Sequence, residues 1–129
     1  MTRQAKCCCG HATISLSGEP MVNGICRCTN CKQRTGSAFG WSIYFADGDV
    51  VETSDDMGVY EILGNNPQVR SFCLQCGTTL FWKSDGFKGM TGVAGGCFAE
   101  NSLPEPTVSL ANGTCLTWLN LPADWEYAD

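Results

Sequence analysis

Seven of the ten cysteines lie in three tight clusters, and this spacing constrains the fold of the 129-residue chain more than any other feature. The clusters are Cys7-x-Cys9, Cys26-x-Cys28-x-x-Cys31 and Cys73-x-x-Cys76. Cysteines at such short spacings are typical zinc ligands. Four protein ligands complete a structural zinc site, whereas three ligands and one exchangeable position are typical of catalytic zinc. Four plus three sulfurs therefore predict two zinc sites and indicate an enzyme.

The length predicts a single domain, residues 1–129, that buries roughly two thirds of its unfolded surface. The first six residues lead into Cys7 without an apolar run, so we expect no signal peptide, and no stretch approaches a membrane span. We therefore expect a cytoplasmic protein whose cysteines remain thiols or metal thiolates. Because ten is an even number, a disulfide framework in an exported protein stays an alternative.

The formal net charge of -5 repels nucleic acid on average. Zinc ribbons that bind nucleic acid also pair Cys-x-x-Cys motifs, but they usually present a basic face. We therefore predict no nucleic-acid partner. The basic residues near the middle cysteine cluster are Arg27, Lys32 and Arg34. Such a group suits a small anionic substrate, and a solvated surface is the alternative.

Fifteen glycines and five prolines punctuate short apolar and alternating segments, which predicts an all-β protein with little helix. The predicted strands are residues 12–17, 42–45, 50–52, 59–63, 69–72, 78–82, 90–94 and 107–110. A turn is predicted at residues 65–67. The segments at 69–72 and 78–82 form the two arms of a hairpin whose tip contains Cys73 and Cys76.

The hairpin tip is the most specific local signal. Two sulfurs separated by two residues reach one metal ion, and Gly77 can adopt the positive φ that the tight turn requires. A redox Cys-x-x-Cys motif is the alternative. That motif normally lies where a strand enters a helix, whereas the residues after Cys76 predict a strand.

The middle cluster predicts a face of three sulfurs. On an extended segment Cys26 and Cys28 point to the same side, and the next step brings Cys31 to them. A fourth sulfur would close the site and make it structural. Cys97 and Cys115 are the candidates for that role, although isolated cysteines are more often buried apolar residues.

Three ordered motifs carry a resemblance to a known family. They are Cys7-x-Cys9-Gly10, then Cys26-Arg27-Cys28-Thr29-Asn30-Cys31 followed by Gly36-Ser37-Ala38-Phe39, and finally Phe72-Cys73-Leu74-Gln75-Cys76-Gly77-Thr78. In order and spacing they resemble the glutathione-dependent formaldehyde-activating enzyme family, also called S-(hydroxymethyl)glutathione synthase and shared with centromere protein V. The resemblance covers about the first two thirds of the chain.

The resemblance implies a β-tent fold of small antiparallel sheets around two zinc ions. It implies that Cys7, Cys9, Cys73 and Cys76 bind structural zinc. It also implies that Cys26, Cys28 and Cys31 bind the catalytic zinc, in a carbon–sulfur lyase that condenses formaldehyde with glutathione. Arg34, Lys32 and Arg27 are then the expected partners of the substrate carboxylates.

The carboxyl-terminal third departs from the family pattern. Ala99 stands where the family tends to have an acidic residue, and Thr107-Val108-Ser109 lacks the expected histidine. Two alternatives follow: an enzyme that acts on another small thiol or carbonyl, and a non-catalytic zinc-binding interaction module.

No general base stands out in the sequence. His11 is the one histidine, and it follows the first cysteine cluster. Four aromatic residues follow the middle cluster, and we predict sheet and core positions for most of them, with one or two against the active pocket. They are Phe39, Trp41, Tyr44 and Phe45.

Overall fold

The structure, a computed structural model, describes residues 2–64, 66–99 and 102–129. These residues form eleven strands, one short helix and four 3₁₀ turns, which are joined by loops. The strands are β1 (Thr2–Lys6), β2 (Thr13–Ser17), β3 (Val22–Cys26), β4 (Gly40–Ala46), β5 (Val50–Thr53), β6 (Met57–Ile62), β7 (Gln68–Cys73), β8 (Thr79–Ser84), β9 (Met90–Ala94), β10 (Val108–Leu110) and β11 (Glu126–Ala128). The helix is α1 (Thr29–Thr35).

The strands form two sheets. A three-stranded antiparallel sheet has the order β1-β2-β5, and an eight-stranded sheet has the order β11-β10-β3-β4-β9-β8-β7-β6. The all-β prediction is therefore confirmed. The larger sheet differs from the expected small antiparallel units at one end, where β10 pairs parallel to both β3 and β11.

The core lies between the two sheets. Alternate residues of β2 supply Ile14 and Leu16, and β4 supplies Ile43 and Phe45; all four are fully buried. This period of two is the side-chain alternation of a half-buried strand. Phe45 packs against Phe98, with ring centroids 6.1 Å apart. Each of these side chains stabilises the fold by roughly 1.5–3 kcal/mol through removal of apolar surface from water.

Most predicted strands are confirmed, and β6 starts earlier than expected. The predicted strand begins at residue 59, but Met57 and Gly58 also belong to β6. Gly58 pairs with Phe72 in the register of β6 and β7. A Cβ atom on Gly58 would lie 2.4 Å from the Phe72 ring, so only glycine leaves room for this ring. The turn predicted at residues 65–67 includes Asn65, which lies outside the described residues.

The helix α1 was not predicted. The segment stays extended only through Cys28, which is the N-cap residue with φ -69° and ψ 159°. Its sulfur accepts a hydrogen bond from the backbone N–H of Cys31 over 3.3 Å, as side-chain acceptors at N-caps commonly do. Gly36 ends the helix in the left-handed conformation with φ 66°. A seven-residue helix is too short to show a clear apolar periodicity in the sequence.

Candidate metal centres and cavity

The first cysteine cluster joins two turns that belong to different sheets. Cys7 and Cys9 lie in the turn between β1 and β2, and Cys73 and Cys76 lie at the tip of the β7–β8 hairpin. The four sulfur atoms lie within 4.8 Å of one another. The backbone N–H of Cys8 also donates to the Thr78 hydroxyl over 3.1 Å, so the two turns are in direct contact.

The distances between these sulfurs fit a tetrahedral zinc site. Cys7 Sγ and Cys9 Sγ are 3.6 Å apart, and Cys9 Sγ and Cys73 Sγ are 3.7 Å apart. Zinc–sulfur bonds of about 2.3 Å in a tetrahedron place sulfurs about 3.8 Å apart. Backbone N–H groups also point at the sulfurs, from Ala12 to Cys7 over 3.2 Å and from Gln75 to Cys73 over 3.4 Å. The arrangement suits thiolates that share a cation.

The local turns explain how the sulfurs converge. Gly10 and Gly77 each have φ 80°, a conformation that side-chain-bearing residues rarely adopt. Gly77 donates its N–H to the Cys73 carbonyl over 2.8 Å and closes the hairpin tip, as the sequence predicted. A hydrogen bond from the Thr78 hydroxyl lowers the pKa of Cys76 to about 5, which favours the thiolate that a metal requires.

The second cluster brings Cys26, Cys28 and Cys31 together at the junction between β3 and α1. Cys26 ends the strand, Cys28 caps the helix and Cys31 lies in its first turn. Their sulfurs also lie within 4.8 Å of one another. Within residues 2–64, 66–99 and 102–129, no further histidine, cysteine or carboxylate joins either cluster.

The three sulfurs of this triad compete for negative charge. A hydrogen bond with the Cys31 thiol lowers the pKa of Cys26 to about 6, and the same contact raises the pKa of Cys31. One thiol therefore ionises at the expense of its neighbours. A divalent cation removes this competition because it stabilises all three thiolates at once, so the donor set fits zinc.

Cys97 and Cys115 are not part of the triad. Cys97 follows β9 and packs against the core, where burial raises the pKa of its thiol to about 11. Cys115 follows the turn at Asn112–Thr114. All ten cysteines are free thiols in the structure, which does not contain the disulfide framework considered from the sequence.

The triad opens into a cavity of about 340 Å³. Its other walls come from α1, β4, β7, β8 and the turn after β8. The lining residues are Cys26, Cys28, Thr29, Asn30, Cys31, Arg34, Ser42, Tyr44, Asn66, Gln68, Trp82, Ser84, Phe87 and Leu110. The cavity is large enough for a small ligand beside the sulfurs.

An aromatic group forms the wall that faces α1. The guanidinium of Arg34 lies 4.4 Å from the centre of the Trp82 ring, in a cation–π contact. Trp82 meets Tyr44 edge to face, with centroids 6.4 Å apart, and Tyr44 stacks on Phe87 at 4.0 Å. Burial raises the pKa of Tyr44 to about 12, so its hydroxyl stays protonated at neutral pH.

The three basic residues near the triad occupy different places. Arg34 lines the cavity. Arg27 is buried and donates to the Asn112 side chain through Nε and Nη2, over 3.2 and 2.6 Å. Lys32 donates through Nζ to the Thr114 carbonyl over 2.5 Å. Arg27 and Lys32 thus connect the triad segment to the residues after β10.

Comparison with known proteins identifies the family. The family described as glutathione-dependent formaldehyde-activating enzyme matches residues 2–112 of the chain. The chain belongs to this family. Among proteins of curated function, none matches the chain in sequence. The chain is also similar to the crystal structure of a Rhodobacter sphaeroides protein, with 20% identity and a TM-score of 0.56, over 78% of this chain and 91% of that one.

At 20% identity the Rhodobacter protein supports the fold alone. Among the described residues of this family member, no helix is long and apolar enough to cross a membrane.

His11 lies outside the cavity lining, and its Nε2 is 2.8 Å from the Asp56 carboxylate. Of the four aromatic residues after the triad, Tyr44 lines the cavity, Phe45 lies in the core, and Phe39 and Trp41 line a separate apolar groove.

Sequence reasoning missed two residues near the site of this family member. Gln68 lines the cavity from β7, and Arg70 lies on the same strand face, opposite Trp82 in the register of β7 and β8. The alternation of side chains along the predicted strand at 69–72 could have indicated Arg70. It places Arg70 and Phe72 on one face of the strand and Val69 on the other.

Proposed function

We propose that this protein is a zinc-dependent carbon–sulfur lyase that condenses a small aldehyde with a thiol such as glutathione. The observation that supports this most strongly is the position of the triad. Its three sulfurs lie in the wall of a cavity, and no fourth ligand joins them from the described residues. A three-ligand site that faces open space is typical of catalytic zinc.

We assign the two clusters different roles on this basis. Cys7, Cys9, Cys73 and Cys76 hold a structural zinc, and Cys26, Cys28 and Cys31 hold the catalytic zinc. When bound at the triad, zinc supplies a position that keeps an incoming thiol as its thiolate and polarises a small carbonyl group.

Arg34 binds the substrate carboxylate in this proposal. It projects from the turn of α1 that follows Cys31, and residues three apart on a helix lie on the same side. Its guanidinium forms bidentate hydrogen bonds with carboxylates, which adds orientation to charge attraction. Arg27 and Lys32 flank the triad in sequence, where they contribute positive potential, and they hold the segment at Asn112–Thr114.

Tyr44 acts as the hydrogen-bond donor to the aldehyde oxygen. Its hydroxyl oxygen accepts the indole N–H of Trp82 over 3.1 Å, so the phenolic proton is left for another acceptor. In the reaction the sulfur–carbon bond forms as the carbonyl π bond breaks. The proton that the thiol loses reaches the former carbonyl oxygen, and the Tyr44 hydroxyl stabilises the negative charge that develops there.

The stacked rings of Tyr44 and Phe87 give this side of the cavity an apolar wall. Exclusion of water strengthens the hydrogen bonds and charge interactions around the reacting atoms. The reaction has one thiol and one aldehyde as small-molecule partners. We place the protein in the cytoplasm, because a reducing compartment keeps cysteines as thiols or metal thiolates, as both proposed zinc sites require.

The experiment is a direct assay of aldehyde–thiol exchange. ¹³C-formaldehyde and glutathione are mixed with the zinc-loaded protein, and exchange spectroscopy measures the rate of hydroxymethyl transfer. We expect acceleration by the wild-type protein, loss of at least about 100-fold in Cys28→Ser, and no change in Cys115→Ser. A Cys28→Ser variant that remains folded and as fast as wild type would exclude the proposal.

A different thiol or carbonyl substrate is the second candidate, and Ala99 is the residue that favours it. The same exchange assay with other small aldehydes and thiols identifies that case. If the folded, zinc-loaded protein accelerates none of these reactions, the chain is a non-catalytic zinc-binding module instead.

A further inference from the structure

Arg70 is a buried cation beside the cavity with incomplete hydrogen bonding. It lies in β7 with 8% of its surface exposed. Its Nε donates to the Gln68 side-chain oxygen over 3.1 Å. Its Nη2 is buried and has no hydrogen-bond partner among the described residues. A buried nitrogen of a guanidinium group costs free energy when no acceptor meets it.

Arg34, which lines the cavity, shows the same deficit. Its Nη2 is also buried without a partner among the described residues, although its ring contact with Trp82 holds the group in place. Gly40 provides the room for this nitrogen, because a Cβ atom there would lie 2.6 Å from Arg34 Nη2. The site is therefore shaped around the guanidinium.

The two arginines are close enough to repel each other. Burial lowers the pKa of Arg70 and the charge of Arg34 lowers it further, whereas the sulfurs of Cys31 and Cys28 partly offset this effect. Among the described residues that line the cavity none carries a carboxylate, and neither arginine takes part in a salt bridge of the described residues. Two neighbouring cations with buried donors that no carboxylate meets are unfavourable, and an anion with free oxygen atoms removes this penalty.

We propose that Arg34 and Arg70, with Gln68 beside them, form a carboxylate-binding subsite that selects acidic thiols as substrates. This inference rests on the proposed function, because the subsite would hold the carboxylate of the same substrate whose thiol lies at the triad. Arg34 is one helical turn from Cys31, so the carboxylate and the sulfur of the substrate are a few bonds apart. The subsite thus favours a short mercapto acid over a neutral thiol of the same size.

The test compares two thiols that differ in charge. Cobalt-substituted protein is titrated with 3-mercaptopropionate and with 2-mercaptoethanol at the same ionic strength, and the sulfur-to-cobalt absorption bands report binding. We expect 3-mercaptopropionate to bind at least about tenfold more tightly, as one charge-assisted pair of hydrogen bonds provides. Arg34→Gln and Arg70→Gln should each remove this preference. Lys88→Gln, which removes an exposed charge outside the cavity lining, should retain it.

Failure of the subsite and failure of the proposed function give different results. If both thiols bind the wild type equally and Arg34→Gln changes neither affinity, the subsite is wrong while the function stands. If neither thiol alters the cobalt spectrum, the proposed function fails. The melting temperature of the protein in sodium propionate, compared with that in sodium chloride, then tests the subsite alone. Stabilisation by propionate that Arg34→Gln abolishes supports the subsite, and its absence overturns it.

Two further controls complete the experiment. If Arg70→Gln does not fold, Arg34→Gln and Arg70→Lys decide, because Arg34 is only partly buried and lysine keeps the charge of Arg70 while it loses the fork of donors. If inorganic phosphate stabilises the wild type and propionate does not, the site binds phosphate and the carboxylate assignment is wrong.

Discussion

The indole nitrogen of Trp82 donates a hydrogen bond to the hydroxyl oxygen of Tyr44 over 3.1 Å, inside the cavity that the triad faces. This bond fixes the orientation of the phenol. Burial raises the pKa of Tyr44 to about 12, so the hydroxyl keeps its proton and is a hydrogen-bond donor at neutral pH.

We predict that Tyr44→Phe lowers the turnover number by about 100-fold and leaves the Michaelis constant for the thiol nearly unchanged. Phenylalanine keeps the stack on Phe87 and removes only the donor. Exchange kinetics with saturating thiol give the two constants separately. Tyr60→Phe, at an exposed position outside the cavity lining, is the control and should behave as wild type. Equal turnover in both variants would remove Tyr44 from the mechanism.

We predict that Cys73→Ser prevents folding, whereas Cys8→Ser does not. Structural zinc contributes about 10–16 kcal/mol in small zinc-binding peptides, which matches or exceeds the total stability of a domain this size. Cys73 is 1% exposed in the four-cysteine cluster, and Cys8 is exposed and outside it. Circular dichroism and zinc content measure the outcome. A Cys73→Ser protein that melts like wild type with all its zinc would contradict the assignment.

We predict that mild chelation removes about one zinc per chain, abolishes activity and leaves the β-sheet signal unchanged. The triad lacks a fourth protein ligand among the described residues and faces a cavity, so its ion is the more accessible one. A colorimetric zinc chelator followed by circular dichroism separates the two sites. Loss of both ions in a single phase that coincides with unfolding would show that the sites are not independent.

We predict a pH-dependent contribution from Asp47. Hydrogen bonds hold the pKa of Asp47 below its ordinary value of 3.8. The bond from Lys83 has the larger effect and the bond from Thr91 the smaller one. A lowered folded-state pKa stabilises the protein above the unfolded value, and this stabilisation disappears as the pH falls through the folded value. Both partners are about half exposed, so the contribution is at most about 1 kcal/mol.

Urea unfolding of the wild type and Asp47→Asn measures this contribution. The difference in unfolding free energy should stay constant from pH 8 to pH 5 and shrink at lower pH. Metal loss in acid affects both proteins, so the difference isolates the carboxylate. Asp124→Asn, at an exposed position, is the control for the loss of one surface carboxylate. A constant difference down to pH 3 would show that the pair makes no ionic contribution.

The sequence predicted the features that depend on neighbouring residues. The cysteine spacings, the turn at Gly77 and the hairpin of β7 and β8 are local, and the structure contains them. The helix α1 was missed because one N-cap and one left-handed glycine define it, with no apolar repeat.

The cavity depends on long-range register, which a single sequence does not encode in any readable pattern. Trp82 meets Tyr44 because both strands flank β9, where each pairs with Gly92. A Cβ atom on Gly92 would lie 2.3 Å from Trp82 Nε1, so this glycine makes the contact possible. The pairing of Arg70 with Trp82 is equally remote from local sequence.

The four-cysteine cluster joins positions far apart in the chain, with Cys73 64 positions after Cys9, whereas the triad lies within one short segment. At about 5–20 residues per second, synthesis delivers Cys73 roughly 3–13 s after Cys9. The triad is thus the first complete set of sulfurs on the nascent chain. We expect the first zinc ion to reach the reactive site before the sheets are joined.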